Sequence, residues 1–566
     1  MNTFSAENAA AGYAVAVIYK KEPAMFNKSH PKKSAVEKWI DEHRELLLFV
    51  IVVPVGKLLS IFENIASRLT SPQPSLHCAR VERVRSDVER YAASRSSIRK
   101  ESRKTLRTDR KGTHSLNVRV SDKSHSVCVP MHDLRSVVSL DTDSMVIRVE
   151  PFVTIGEVVD YLDRRGFQLA AAIEMKGATI AGLILAVGMT TNSHIQGLMH
   201  EIVEAYEIVT ADGRLIRATR DGEHADLFRA MPWSHGTLGL LVALELRVEK
   251  APKYVCLHYR PMRDLDEFVT EHTRLLTSES PPDYLEAQVF GRNAAVIIEG
   301  YKTNERPSRE IPKNDVAQWD KPFFFKHVES MLNLPDGETR SELVPNASFI
   351  MRHDRSMCMT MGKILPGANN SVYRRLFGWM LPPNMAFLKA SRPHEERERT
   401  MKRQVYQDLG FPHERLRDML VHLDKEFEIY PLLVYPCKVI DRGGMLRLPG
   451  QHGREWDGKE RSAFYFNLGI YGEPKAVRNG ALDYPTVRKV REVEGMVRTW
   501  GGFLHTYVDV FCTREEFEEM FDHRLWRKMR EKYAAEGVFP TVYEKVKPEL
   551  DPLQFLDDEF VPAAKG

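Results

Sequence analysis

Apolar residues recur with three different spacings along the chain, and each spacing predicts a different kind of element. Between Arg80 and Tyr91, Val81, Val84 and Val88 fall on one face of a 3.6-residue period, which predicts an amphipathic helix. Val137 to Leu140 and Met145 to Val149 read as strands separated by the turn residues Asp141 to Asp143. Thr154 and Glu157 form the sequence signature of a capping box. Ile155, Val158, Val159 and Leu162 supply the stripe of the helix that follows, and Gly166 ends it. Tyr206 to Thr210 and Leu215 to Ala218 flank Asp212-Gly213, a hairpin signal. Leu240, Val242, Leu244, Leu246 and Val248 alternate strictly, which predicts a strand with one face buried. The block from about 75 to 250 is therefore α+β.

The stretch from Leu46 to Phe62 is the most apolar in the chain. We expect a membrane anchor helix over 46–66, although the run is short for a span and Lys57 interrupts it, and an interfacial or buried helix is the alternative for the same residues. Basic residues lie on both sides, so charge does not set its orientation. A polar segment, 1–45, precedes it. Ser71 to Pro74 reads as a linker, and 551–566 as a C-terminal tail. Residues 251–550 are less regular and rich in aromatic clusters, such as Pro322 to His327, Tyr373 to Trp379, Tyr430 to Pro436 and Phe464 to Tyr471.

Composition narrows the chemistry. The 566 residues exceed what one core accommodates. A net charge of +3 leaves no basis for a nucleic-acid partner. The six cysteines, Cys78, Cys128, Cys256, Cys358, Cys437 and Cys512, include no closely spaced pair, so neither a thiolate metal site nor a disulfide framework is expected.

The chemistry-bearing segment is Gly177 to His194. Small residues recur at Ala181, Gly182, Ala186 and Gly188, and Thr190, Thr191, Asn192 and Ser193 follow. A backbone free of bulky side chains can approach a pyrophosphate and offer N–H donors to it. A tightly packed helix explains the same spacing equally well. A second glycine turn, Pro232 to Gly239, stands at a strand entry.

Together with Asp226 to Phe228, these segments resemble the FAD-binding domain of the vanillyl-alcohol-oxidase, or PCMH, type. The resemblance is closer still to the delta-24-sterol reductases of the Diminuto type. It is carried by Arg148 to Gly156, Tyr206 to Gly213, Lys321 to Glu329, Leu376 to Pro383, Ile470 to Pro474 and Thr513 to Asp522. One departure is Ala181-Gly182, where that family has a glycine pair.

The resemblance implies a two-subdomain PCMH-type FAD-binding domain over 75–250, an α+β substrate or cap domain over 251–550, and an N-terminal membrane helix. It implies FAD, NADPH as reductant and a sterol substrate at the endoplasmic reticulum membrane, with the catalytic domain facing the cytosol. Cofactor contacts are expected from Arg110, Lys111, Gly112, Thr113 and His114. Further contacts are expected from Thr179, Ile180, Ala181, Gly182, Ala186, Gly188, Thr190, Thr191, Ser193, His194 and Gly197, and from Gly236, Thr237 and Gly239. His114 matches a position that bonds the flavin covalently elsewhere in the superfamily; non-covalent FAD is the expectation here.

A side-chain double bond has no carbonyl to receive electrons, so a proton donor is needed beside the flavin. The candidates are Tyr471, Glu473, His505, Tyr507 and Asp509, the last three alternating along one strand face. A catalytically silent sterol-binding membrane protein, or a flavin oxidase or dehydrogenase of another substrate, remains the alternative.

Overall fold

The computed structural model describes residues 51, 53–69, 73–97, 99, 102–110, 123–383, 394–481, 483–548 and 550–556. The first sheet is built from the elements that the alternating pattern predicts. Strands β3 (Val137–Asp141), β4 (Val146–Val149), β6 (Val203–Val209), β7 (Leu215–Thr219) and β8 (Leu240–Lys250) pair in the order β3-β4-β8-β6-β7. β5 (Phe167–Leu169) adds to the far part of β8. A parallel pair, β1 (Thr105–Thr108) with β2 (Ser126–Val129), stands apart.

The Asp212-Gly213 turn closes the antiparallel β6–β7 hairpin, with Gly213 at φ +83°. The capping box forms in full: Thr154 accepts from the amide of Glu157, and the Glu157 carboxylate accepts from the amide of Thr154.

Helix α1 (Val53–Leu69) precedes helix α2 (His77–Ser96), which contains the predicted stripe; Val81, Val84 and Val88 are buried. They pack against one face of the sheet with Val209, Leu240 and Val242, joined by Ala535, Val538 and Phe539 from the far end of the chain. Ile208, Leu241 and Leu244 face the main core on the other side. The first part of β8 is therefore buried on both faces, not on one as its alternation predicts, because the C-terminal segment returns to cover the second face.

The second sheet is antiparallel and eight-stranded. Its members are β9 (Tyr254–Met262), β10 (Tyr284–Gly291), β11 (Ala294–Thr303), β12 (Arg340–Pro345), β13 (Val405–Pro412), β14 (Leu432–Asp441), β15 (Arg461–Gly472) and β16 (Phe503–Leu504). They run in the order β12-β9-β11-β10-β14-β15-β13-β16. Most of the aromatic clusters lie in this core; Phe323, Phe324, Tyr465 and Phe466 are all buried.

The expected membrane helix over 46–66 needs correction. Residues 46–50 and 52 lie outside the described residues. α1 begins at Val53, and among the described residues no helix is long and apolar enough to cross a membrane. One face of α1, with Val53 and Gly56 buried, packs against the protein beside the turn Gly378–Met380. Burial pushes the Lys57 ammonium down, and Lys57 lies within electrostatic reach of Asp354. The outer face leaves Val55, Leu58, Ile61 and Phe62 exposed. α1 is thus an amphipathic helix seated on the protein rather than an all-round apolar span.

Candidate active site

Three loops from the first domain and one strand end from the second converge at the seam between the sheets. The first is the small-residue segment. A short helix, α3 (Ile180–Leu185), begins after Thr179, and the guanidinium of Arg110 donates to the Thr179 hydroxyl. Arg110 is largely buried, and desolvation alone pushes it down to about 10. Among the described residues no carboxylate pairs with it. A buried cation without a counter-ion is costly and is relieved by an anionic ligand.

Beside it, a Cβ built on Gly182 would meet only the Thr179 hydroxyl at 3.2 Å and Arg110 Nη1 at 3.8 Å. Beside Leu185 at the far end of α3, Gly236 of the second glycine turn sits at φ +69°, where a Cβ would meet nothing nearer than Leu185 at 3.8 Å. An arginine that no described carboxylate pairs, one glycine packed on Thr179 and one with open space beside it, at the two ends of α3, fit the pyrophosphate of a dinucleotide.

Other expected contact residues are engaged within the protein. The amides of Ile180 and Ala181 donate to the carbonyls of Val153 and Pro151. The Ala186 amide caps α3 on the Gly182 carbonyl, and the Gly188 amide bonds to Leu183. Thr190 donates its hydroxyl to Glu174, and Ser193 accepts from the Thr190 amide. The Thr191 carbonyl accepts from the amide of Leu285 on β10, and His194 bonds the carbonyl of Pro282. Thr191 and His194 therefore link the first domain to the start of β10, while the Thr190 and Ser193 hydroxyls are engaged within the first domain.

Gly197 shapes a turn at φ +79°. The Thr237 hydroxyl donates to Ser234 and accepts from Trp526. A Cβ on Gly239 would lie 2.5 Å from Ile208 and 2.9 Å from the Val209 carbonyl, so this glycine serves strand packing. Lys111, Gly112, Thr113 and His114 lie outside the described residues.

The second domain meets these loops through His505-Thr506-Tyr507. His505 is fully buried and bonds the carbonyl of Val187 at 3.0 Å. His235 bonds the Thr506 hydroxyl at 2.6 Å. Both first-domain residues have positive φ, +56° at Val187 and +51° at His235, in a region that non-glycine residues seldom adopt.

Of the five candidate proton donors, Tyr471 and Tyr507 face a common partner that the sequence reading missed, Asp408 on β13. Tyr471 donates its hydroxyl to Asp408 Oδ1 at 2.6 Å, and Asn467 donates to the same oxygen at 3.4 Å. Burial pushes the Asp408 carboxyl up to about 6, and Tyr507 also faces it. Desolvation holds both tyrosines well above the usual phenol range.

His505 stands beside the cluster, its amide donating to the Asp408 carbonyl; burial pushes its imidazole down to about 4, so it is neutral near pH 7 and poorly suited to carry a proton. Glu473 points elsewhere and pairs with Arg403 at 3.4 Å. The Asp509 carbonyl accepts from the Gln407 side chain, next to Asp408 in the strand. No motif marks Asp408. Its only sequence signal is an acid in the mostly apolar strand Val405 to Pro412.

A second buried group completes the seam. Arg352 pairs with Glu286 on β10 at 2.7 Å and with Glu174 of the first domain at 3.5 Å. The segment after it places Met357, Cys358 and Met359 at φ +47°, +49° and +75°, three successive residues in the left-handed region.

A sheet domain ending in an arginine-and-glycine cradle, closed by a second sheet carrying a buried acid, defines an FAD-dependent oxidoreductase. The profile of an FAD binding domain matches residues 102–219. The chain is 32% identical to the delta(24)-sterol reductase of Homo sapiens over 89% of its length and 93% of that protein. It is 32% identical to the delta(24)-sterol reductase of Arabidopsis thaliana over 74% of its length and 76% of that protein. It is more distantly similar, at 22% over 74% of the chain and 84% of that protein, to the L-gulonolactone oxidase of Bos taurus. The chain belongs to the delta(24)-sterol reductase family.

Proposed function

We infer that this protein is an FAD-dependent reductase of the delta-24 double bond of a sterol side chain, driven by NADPH and working at a membrane surface. The observation that carries the reading is the seam itself. The residue that ends the cofactor cradle, Val187, is bonded to His505, and His505 is bonded through its amide to Asp408. Cofactor-binding segments and a buried acid thus share one water-poor interface.

Arg110, Thr179 and Gly182 would hold the pyrophosphate, and the backbone around Gly236 would leave room beside it. When bound, FAD supplies the hydride chemistry. The protein's own task follows from the substrate. An isolated alkene accepts a hydride only once carbon 24 has been protonated, leaving a tertiary cation at carbon 25. That cation survives only where water is excluded.

The membrane reading rests on where apolar side chains remain exposed. The outer face of α1 carries Val55, Leu58, Ile61 and Phe62, and next to the turn it packs on stand Val372, Leu376, Phe377 and Trp379. An amphipathic face of this kind lies in a lipid interface rather than across it. The membrane is that of the endoplasmic reticulum, with the flavin domain on the cytosolic side, where NADPH is present.

The test is anaerobic. The purified holoprotein is reduced with NADPH, then mixed with delta-24 sterols in detergent or with short alcohols. Flavin reoxidation by the sterols with formation of the saturated side chain is expected; reoxidation by none of them rejects the reading.

A further inference from the structure

We propose that Asp408 is the acid that protonates the substrate double bond, with Tyr471 and Tyr507 as its positioning residues. This rests on the reductase reading above.

Asp408 Oδ1 accepts two hydrogen bonds, from the Tyr471 hydroxyl at 2.6 Å and the Asn467 amide at 3.4 Å. An oxygen already receiving two donors is a poor place for a third hydrogen. The acidic proton of the neutral form therefore sits on Oδ2. That oxygen is buried and, among the described residues, no donor lies within 3.5 Å of it; the Tyr507 hydroxyl interacts with the carboxyl more weakly and, like Tyr471, favours its charged form. Buried polar atoms are nearly always paired, so an unpaired carboxyl oxygen in a core needs a reason. A proton held ready for an alkene, which offers no lone pair for a ground-state hydrogen bond, supplies one.

The surroundings support an acid rather than a permanent carboxylate. Among the described residues Asp408 pairs with no cation. Around it stand Tyr471 from β15, Tyr507 after β16 and, within electrostatic reach, the Cys358 thiol from the left-handed segment. Glu174 reaches Tyr507 and Cys358 from the far side, Asp354 and Arg352 reach Cys358, and the Lys363 ammonium bonds the Tyr471 carbonyl rather than the carboxyl. Burial pushes the Asp408 carboxyl up to about 6.

Space for the Tyr471–Asp408 bond comes from the strand opposite. Gly469 pairs with Asp408 across β13 and β15, and a Cβ there would lie 2.5 Å from the Tyr471 hydroxyl and 3.1 Å from Asp408 Oδ1.

In the step itself, the Oδ2–H bond breaks and the π pair of the alkene forms the new C–H bond at carbon 24. The positive charge appears at carbon 25 and is quenched by the hydride that the reduced cofactor supplies. Asp408 is left as a carboxylate, stabilised on Oδ1 by Tyr471 and Asn467, and regains its proton from water before the next turnover. A buried carboxylate a few ångströms from a cation also lowers the energy of that cation.

The test separates half-reactions in the holoprotein. Asp408→Asn is expected to retain FAD and to be reduced by NADPH at the wild-type rate. Its sterol-driven reoxidation should fall by about 100-fold or more, with partial recovery in Asp408→Glu. In the wild type, the reoxidation rate should fall as pH rises through the apparent pKa of the acid. Tyr471→Phe should move that pKa upward, because it removes a donor that favours the carboxylate; a merely structural role would not shift it. Independently of turnover, one infrared carbonyl band of a protonated buried carboxyl, separate from that of Glu494, should disappear as pH rises through about 6 in the wild type and be missing from Asp408→Asn.

An Asp408→Asn protein that holds FAD and is reoxidised by sterol at the wild-type rate overturns the assignment. So does a Tyr471→Phe profile with an unmoved pKa, which stands even if the asparagine variant fails to fold. A wild-type protein that no delta-24 sterol reoxidises rejects the reductase reading instead.

Discussion

The imidazole of His505 donates its Nδ1 hydrogen to the carbonyl of Val187, 3.0 Å away and 318 residues earlier in the chain. A carbonyl only accepts, so the bond sets the tautomer, and Nε2 is left without a partner. Because Val187 sits at φ +56°, its carbonyl points where an ordinary residue would not place it, and His505 holds it there. Replacing His505 by alanine leaves that carbonyl buried and unpaired and opens a void. We expect a loss of about 2–4 kcal/mol in stability, measured by denaturant titration, together with weaker FAD retention on gel filtration.

Arg110, Gly182 and Gly239 should separate cofactor binding from folding. Arg110→Met removes a cation that no carboxylate balances among the described residues, so the apoprotein should be as stable as the wild type or more so. FAD affinity should fall by about 1.5–3 kcal/mol, the value of a charged hydrogen bond. Gly182→Ala should leave the apoprotein melting point nearly unchanged and weaken FAD. Gly239→Ala should destabilise the protein by about 1–3 kcal/mol whether or not FAD is present, because its Cβ has no room against Ile208 and Val209. Isothermal titration of FAD into the apoprotein variants, alongside apoprotein melting, checks all three.

Glu494 should make stability fall with rising pH. Burial pushes its carboxyl up to about 8, while one oxygen accepts from the amide of Phe511. In the folded state it keeps its proton well above the pH at which the unfolded chain releases it. Its contribution is therefore full below about 4.5 and is lost as pH rises to about 8, at up to about 1.4 kcal/mol per pH unit. Glu494→Gln should flatten that slope relative to the wild type in denaturant titrations across the same window.

The exposed face shared by α1 and residues 372–379 should set membrane partition. Charged substitutions at Leu58 and Phe62, or at Leu376 and Trp379, are each expected to lower binding to phosphatidylcholine–phosphatidylserine vesicles by about tenfold or more. A buried apolar side chain is worth about 1.5–3 kcal/mol at such a surface. Melting points should stay unchanged, because these side chains are already solvated. Co-sedimentation of the full chain with vesicles gives the answer; undiminished binding in both pairs places the tether elsewhere.

What the sequence determined was local. The capping box at Thr154, the hairpin at Asp212-Gly213 and the stripe of α2 depend on neighbours within a few residues, and each forms as its pattern requires; β8 forms as a strand, but its first part is buried on both faces. The Gly177 to His194 segment was singled out for the same local reason, since an approachable backbone needs small residues in sequence, whereas Arg110 was reached only through the resemblance. Tertiary structure decided what those residues face. It turned Thr190 to His194 and Thr237 inward, with Thr191 and His194 linking the domains, assigned Gly239 to packing, and laid α1 against the protein instead of leaving it apolar all round. It also brought two of the five proton-donor candidates, Tyr471 and Tyr507, to a residue that no motif marks. Asp408 owes its character to strands β13, β15 and β16, which are far apart in the chain and neighbours only in the sheet. The burial that pushes its carboxyl up to about 6 is a property of that assembled sheet, and no spacing along the sequence encodes it.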